Sequence, residues 1–113
     1  MDTPSAAPYP YRGPVEWQAP IGASLAAVID PEVAMSIVDV GLVYGVHVSD
    51  DTVAVDLTMT SAACPVARLI VEEVQVALDA VLPEAFAIDV RLVWDPPWTP
   101  ARMSERGRAH MQW

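Results

Sequence analysis

The strongest structural signal in the sequence is the stretch Leu42–Thr60, which reads LVYGVHVSDDTVAVDLTMT. Apolar side chains take every second position on both sides of the polar turn Ser49–Asp51: Leu42, Tyr44, Val46 and Val48 before it, and Val53, Val55, Leu57 and Met59 after it. This period of two predicts two strands, each with one apolar face. Because the link between them is short and polar, we expect an antiparallel hairpin.

A long helix and a third strand follow the hairpin in the sequence. The apolar positions of the helix recur at steps of three and four residues: Val66, Leu69, Ile70, Val74, Ala77, Leu78 and Val81. This spacing predicts an amphipathic helix. Pro65 suits its first position, and Pro83 ends it. Alternation from Ile88 to Trp94 then predicts a strand.

The two ends of the chain carry weaker signals. Five prolines lie within residues 1–20, and their spacing predicts a flexible arm without a regular helix, followed by one domain over residues 21–113. Ser24 is the predicted N-cap of a short helix that stops before Pro31. Thr99 and Pro100 are predicted to open a last short helix that runs to His110. The expected fold is an α+β two-layer sandwich, with a small mixed sheet of about three strands packed on one main helix and short helices at both ends.

Composition excludes several classes of partner. The 113 residues suffice for one domain, and the 15 acidic against 6 basic side chains give a formal net charge of −9. A chain this acidic repels phosphate backbones and anionic lipid surfaces. We therefore expect neither nucleic acid nor membrane as a partner. No secretory signal is visible, and a single cysteine fits a reducing compartment, so we expect a cytoplasmic protein.

Cys64 is the residue on which the chemical interpretation depends. It is the sole cysteine, so one chain forms neither a disulfide nor a site with several thiolates. It directly precedes Pro65, which predicts a position at the N-cap of the main helix, where unpaired N–H groups and the helix dipole favour a thiolate. A small buried apolar side chain is the alternative. Position and residue type together favour a thiolate and a buried apolar side chain about equally.

Polar and aromatic residues elsewhere are candidates for the surroundings of Cys64. The candidate pocket residues are Asp30, Glu32, Asp39, Thr58, Thr60 and Ser61. For the acidic residues the alternative is capping of turns and helices. The candidate partner-binding residues are Trp94, Pro97 and Trp98, for which the alternative is closure of the open end of the core. His47 is the candidate base if Cys64 is a nucleophile, although nothing in the spacing pairs them.

Three stretches together resemble one family. They are Asp30–Pro31–Glu32 with Ser36–Tyr44, then Leu57–Pro65, then Val93–Pro100 with Met103–Ser104. In this order and over roughly residues 21–112, the chain resembles the SufT/PaaD-like iron–sulfur cluster assembly domain, also called the metal–sulfur cluster biosynthetic family. The resemblance implies the small α+β fold and a maturation factor rather than a metabolic enzyme. It places the family's cysteine on Cys64 and its acidic turn on Asp30 and Glu32.

Three functions are compared on this basis. The first is a cluster assembly or delivery factor in which Cys64 is a labile ligand of iron or of a transient iron–sulfur cluster, with the assembly machinery and apo-protein clients as partners. Since clusters are commonly held by four thiolates, a stable cluster needs a homodimer with other ligands or a site shared with a client. The second is a metal-free adaptor that docks clients through Trp94–Pro100. The third, ranked well behind, is a thiol enzyme that depends on His47.

Overall fold

A four-stranded mixed sheet lies at the centre of the structure, and from one edge to the other its strands begin at Tyr11, Val43, Thr52 and Ala87. A computed structural model of the chain describes residues 9–60 and 66–111. The strands are β1 (Tyr11–Arg12), β2 (Ile29–Asp30), β3 (Met35–Ser36), β4 (Val43–Ser49), β5 (Thr52–Leu57) and β6 (Ala87–Leu92). The helices are α1 (Val15–Ala26), α2 (Ile37–Val40), α3 (Val66–Val81) and α4 (Glu105–Met111), with a 3₁₀ turn at Pro100–Arg102. The predicted α+β class is confirmed.

The predicted hairpin forms the middle of this sheet. Strand β4 pairs antiparallel with β5, and Val53, Val55 and Leu57 of β5 are fully buried. Strand β6 returns after α3 and pairs parallel with β5. The register of β4 differs from a simple alternation, because a bulge between Val43 and Gly45 turns Val43 into the core.

Helix α3 packs on the inner face of the sheet, as predicted, but with a narrower apolar face. Its buried residues are Ala67, Ile70, Val74 and Leu78. Leu69 and Val81, two of the apolar positions of the predicted amphipathic helix, are 45% and 42% exposed. The buried residues therefore form a single seam. Beside it Val66, Val71 and Ala77 are partly buried against the core, whereas Leu69, Val76 and Val81 are exposed.

The N-terminal part of the chain departs most from its prediction. Helix α1 begins at Val15 rather than after Ser24, and the predicted boundary between residues 20 and 21 falls inside it. Pro20 removes one helical hydrogen bond at a cost of about 3 kcal/mol. Burial of Ile21 and Leu25, together with contact between α1 and α3, offsets that cost. Strand β1 adds a fourth, parallel strand beside β4.

The C-terminal segment closes the other end of the core. The helix predicted from Pro100 to His110 is divided in two, since Ser104 interrupts it and caps α4 by accepting the Gly107 N–H at 2.9 Å. Met103, between the two parts, is buried. Within residues 9–60 and 66–111, no helix has the length and apolar character needed to cross a bilayer.

Candidate functional site

The approach to Cys64 runs from the end of β5. Thr58 follows this strand, is 1% exposed, and donates its N–H to the Leu42 carbonyl at 2.8 Å. Its hydroxyl Oγ1 is buried and has no hydrogen-bond partner among the described residues. Thr60 is exposed. A buried hydroxyl without a partner costs free energy, so Thr58 is the residue of this approach that has hydrogen-bonding capacity to spare.

Cys64 and Ser61 lie outside the described residues. Helix α3 begins two residues after Cys64 in the sequence, at Val66. The predicted place of Cys64 at the N-cap of this helix therefore stays a prediction.

The acidic turn lies between β2 and β3. Asp30 is 3% exposed, and its Oδ1 accepts the Glu32 N–H at 2.9 Å. Its carbonyl accepts the Ala34 N–H at 2.8 Å, and Ala34 has the left-handed φ of 55°. Asp30 thus closes the turn that returns the chain to β3, as expected of an Asp that caps a turn. Glu32 extends from this turn and is exposed.

Asp39 lies on α2 and faces the C-terminal helix. Its Oδ1 accepts the Ser104 hydroxyl at 2.8 Å, and its Oδ2 is 4.0 Å from the Arg106 Nε. Asp39 also lines a cleft of about 460 Å³, together with Met35, Arg106 and His110. Among the described residues, no hydrogen bond joins Asp39 to the Asp30 turn or to Thr58. Within that same part of the chain, no group of three or more His, Cys, Asp or Glu side chains is arranged to hold a metal ion.

The aromatic C-terminal stretch has one half-buried and one exposed tryptophan. Trp98 is half-buried against the core, and its Nε1 donates to the Val40 carbonyl at 2.8 Å. Trp94 is 46% exposed, and Pro97 is also exposed. Trp98 therefore anchors the segment, whereas Trp94 and Pro97 remain accessible to a partner.

Tyr44 secures the same segment from the sheet. Its hydroxyl donates to the Pro96 carbonyl at 2.8 Å, and the Arg102 guanidinium lies 4.3 Å from the centre of its ring. Sequence reasoning missed these contacts because the partners are more than fifty residues apart.

His47 lies on β4 with an exposed side chain, as the strand pattern predicts. It borders a shallow surface with Arg12, Tyr44 and Asp56. Because Cys64 lies outside the described residues, a pairing of His47 with Cys64 stays a prediction.

Gly41 was the most informative signal that sequence reasoning overlooked. It ends α2 in the left-handed conformation, with φ of 85°. A Cβ added there would lie 2.6 Å from the Arg102 carbonyl carbon. A glycine directly after a short capped helix is a recognisable helix end, although the close approach of Arg102 is visible only in the fold.

Comparison with known proteins gives the family. Residues 18–91 match the family described as iron–sulfur cluster assembly protein. The chain is 46% identical over 82 residues to the Fe-S protein maturation auxiliary factor YitW of Bacillus subtilis (strain 168), covering 72% of this chain and 79% of YitW. It is 47% identical over 78 residues to the Fe-S protein maturation auxiliary factor SufT of Staphylococcus aureus (strain USA300), covering 68% of this chain and 88% of SufT.

Solved structures show the same fold. A domain of unknown function (DUF59) from Bacillus anthracis superposes with a TM-score of 0.80 at 39% identity, covering 86% of this chain and 92% of that domain. The solution structure of Rv1466 from Mycobacterium tuberculosis, described as associated with [Fe-S] complex assembly and repair, gives 0.51 at 35% identity, covering 88% and 87%. The chain belongs to the iron–sulfur cluster assembly protein family.

Proposed function

We propose that this protein is a maturation factor that assembles or delivers iron–sulfur clusters, and that Cys64 is a labile thiolate ligand of the iron or cluster in transit. The family match over residues 18–91 carries the proposal, because it includes the whole stretch from Asp30 to Cys64. Relatives at 46% and 47% identity are named as Fe-S protein maturation auxiliary factors. The role is that of an accessory protein without catalytic turnover of its own.

The number of thiolates makes the cluster a cargo rather than a resident cofactor. Iron–sulfur clusters are commonly held by four cysteine thiolates, and this chain has one cysteine. The remaining ligands must come from a second copy together with carboxylate or non-protein ligands, or from an assembly or client protein. Delivery is then a ligand exchange, in which the bond from iron to Cys64 breaks as a thiolate of the acceptor binds, with no change of oxidation state.

Neighbouring polar residues supply hydrogen bonds to this exchange. The Thr58 hydroxyl, which has no hydrogen-bond partner within residues 9–60 and 66–111, supports this role, since a buried donor stabilises a thiolate or sulfide that approaches it. We assign Thr60 and Ser61 to the same wall of the pocket. Asp30 holds the acidic turn in shape through its bond to the Glu32 N–H. We assign Asp39 a supporting role from α2, where its Oδ1 accepts the Ser104 hydroxyl.

The proposed partners are the cluster-assembly machinery and apo-proteins that receive clusters, in a reducing cytoplasm where the thiolate persists. Trp94, at 46% exposure, favours one second candidate function, a metal-free adaptor that docks clients through Trp94–Pro100. Client capture that survives Cys64→Ser and fails with Trp94→Ala would favour the adaptor. Trp98 is unsuitable for this comparison, because its hydrogen bond to Val40 also holds the fold.

Anaerobic reconstitution with iron and sulfide tests the principal proposal. Wild type is compared with Cys64→Ser and with Cys64→Ser/Ser49→Cys, which moves the thiol to an exposed site on β4. We expect visible charge-transfer absorption and retained iron in wild type, and neither in the two variants. Equal iron and sulfide retention in Cys64→Ser would remove Cys64 from the role. Recovery in the double variant would mean that any exposed thiol suffices.

A further inference from the structure

A groove with an apolar floor and acidic side chains runs along α3 beside the end of α1. Ala27 and Val28, which follow α1, form one wall, and Leu69 and Val76 of α3 form the other. Glu72 and Glu73 border the groove, whose volume is about 390 Å³. It is separate from the cleft at Asp39 and from the Trp94–Pro100 segment.

Two apolar residues of this groove, Leu69 and Val76, are exposed without a covering element in the described structure. Leu69 is 45% exposed and Val76 is 70% exposed. They lie seven residues apart, two helical turns, so they occupy the same side of α3, next to the buried seam that faces the sheet. A solvated helix face is normally polar, and single exposed apolar residues are common. Leu69 and Val76 line the same groove, so a single partner segment can contact both of them.

The charge of the groove indicates which kind of partner binds there. Its ionisable lining residues, Glu72 and Glu73, are both acidic, and the chain carries a net charge of −9. A second copy would oppose like charges across the contact. Residues 1–8 offer no complement either, because they contain Asp2 and no Lys or Arg. A partner that places apolar side chains on the floor and basic side chains against the two glutamates fits the surface.

We propose that the groove between the end of α1 and α3 binds an amphipathic helical segment of a partner protein that carries Lys or Arg beside its apolar face. Leu69 and Val76 form an exposed apolar stripe, two helical turns long, at the border of the groove. A partner helix with apolar residues at steps of three and four can pack along such a stripe. The proposal rests on the proposed function, since Leu69 lies five residues after Cys64 and a docked client or assembly protein would be held beside the segment that carries the thiol.

Peptide binding to the full chain tests the proposal without iron or sulfide. The probe is a fluorescein-labelled peptide of about four helical turns, with Leu and Ala on one face and Lys on the other. Its control has Glu in place of every Lys. Binding is followed by fluorescence anisotropy at two salt concentrations and mapped by amide chemical shifts. We expect the Lys peptide to bind, with shifts centred on Ala27–Val28 and Leu69–Ala77, and the Glu peptide to bind at least about tenfold more weakly.

Matched variants separate the groove from general attraction to an acidic protein. Val76→Ser should weaken binding about tenfold, whereas Val15→Ser, at an exposed apolar residue at the other end of α1, should leave it unchanged. Glu72→Gln/Glu73→Gln should weaken binding and reduce its salt dependence, whereas Asp50→Asn/Glu84→Gln, also exposed, should change neither beyond twofold or so. Thermal unfolding confirms that each variant is folded.

The opposite results would overturn the proposal. These are no binding of the Lys peptide, equal binding of the Glu peptide, shifts centred elsewhere, or equal losses in the groove and control variants. The same titration with Cys64→Ser distinguishes it from the proposed function. Peptide binding that persists in this variant while cluster retention is lost would support both. Cluster retention without peptide binding would contradict the groove alone.

Discussion

Ser104 and Asp39 are joined twice across 65 residues of sequence. The Ser104 hydroxyl donates to Asp39 Oδ1 at 2.8 Å, and its N–H donates to the Asp39 carbonyl at 2.9 Å. The same hydroxyl accepts the Gly107 N–H of α4. One serine thus caps the last helix and fixes it to α2, the helix that carries a candidate site residue.

Ser104→Ala should lower the free energy of unfolding by about 1–2 kcal/mol, because it removes a helix cap and leaves the half-buried Asp39 carboxylate without this donor. Urea unfolding followed by circular dichroism measures the change. Ser49→Ala, at an exposed serine on β4, is the matched control and should change stability by less than about 0.5 kcal/mol. Equal losses in both variants would contradict the role assigned to Ser104.

Gly41→Ala should destabilise the protein by more than about 1 kcal/mol, since alanine is strained at a φ of 85° and its Cβ meets the Arg102 backbone. Gly45→Ala is the control within the same chain. Its added Cβ would approach nothing nearer than the Pro10 carbonyl oxygen at 3.8 Å. Urea midpoints that fall equally for the two variants would show that the approach of Arg102 to Gly41 does not limit this position.

The two tryptophans of the C-terminal segment should respond differently to substitution. Trp98→Phe removes the hydrogen bond to the Val40 carbonyl and should cost about 1–2 kcal/mol of stability. Trp94→Phe should be within about 0.5 kcal/mol of wild type, because that side chain is 46% exposed and phenylalanine keeps an aromatic ring there. Thermal and urea unfolding of the two variants makes the comparison. A larger loss for Trp94→Phe would reverse the assignment of anchor and exposed surface.

Stability should fall at alkaline pH in part because of Tyr9. Burial raises the pKa of the Tyr9 hydroxyl, with a further contribution from Tyr11, whose own pKa is raised as well. Below the ordinary tyrosine pKa of about 10, Tyr9 keeps its proton in both the folded and the unfolded chain. Its ionisation therefore does not lower the free energy of unfolding in that range. As pH rises above it, the unfolded chain ionises first, so the free energy of unfolding decreases.

Tyr9→Phe should flatten this decline. Urea midpoints of wild type and variant between about pH 8 and pH 11 measure it, and the two are compared by slope rather than by absolute stability. Parallel profiles would exclude Tyr9 as a source of the alkaline loss.

Local patterns predicted the centre of the fold, and long-range contacts account for the differences. Strands β4 and β5 and helix α3 follow from alternation and helical periodicity within single segments. Helix α1 does not, because its tolerance of Pro20 depends on packing against a helix some fifty residues later. Strand β1 is two residues long and is defined by its pairing with β4. Two residues are too few to show a periodicity in the sequence.

The candidate site divides in the same way. The turn at Asp30 was readable from the residue types, since an Asp before Pro and Glu is typical of a capped turn, and the structure shows that cap. The link from Asp39 to Ser104 was not readable from the sequence, nor was the buried Thr58 hydroxyl, which lacks a partner in the part of the chain that the structure describes. Each depends on which segments the fold brings together. Cys64 itself was selected by being the sole thiol, a property of the sequence alone.

Transfer of a cluster from this protein to an apo-ferredoxin is the most direct measurement of the proposed role. The reconstituted protein is mixed anaerobically with excess apo-ferredoxin, and the visible circular dichroism of the ferredoxin is followed in the presence and absence of a chelator. We predict transfer at a rate above that from free iron and sulfide, insensitive to the chelator, and lost with Cys64→Ser. Transfer no faster than from free iron and sulfide, or equally fast with Cys64→Ser, would contradict delivery through Cys64.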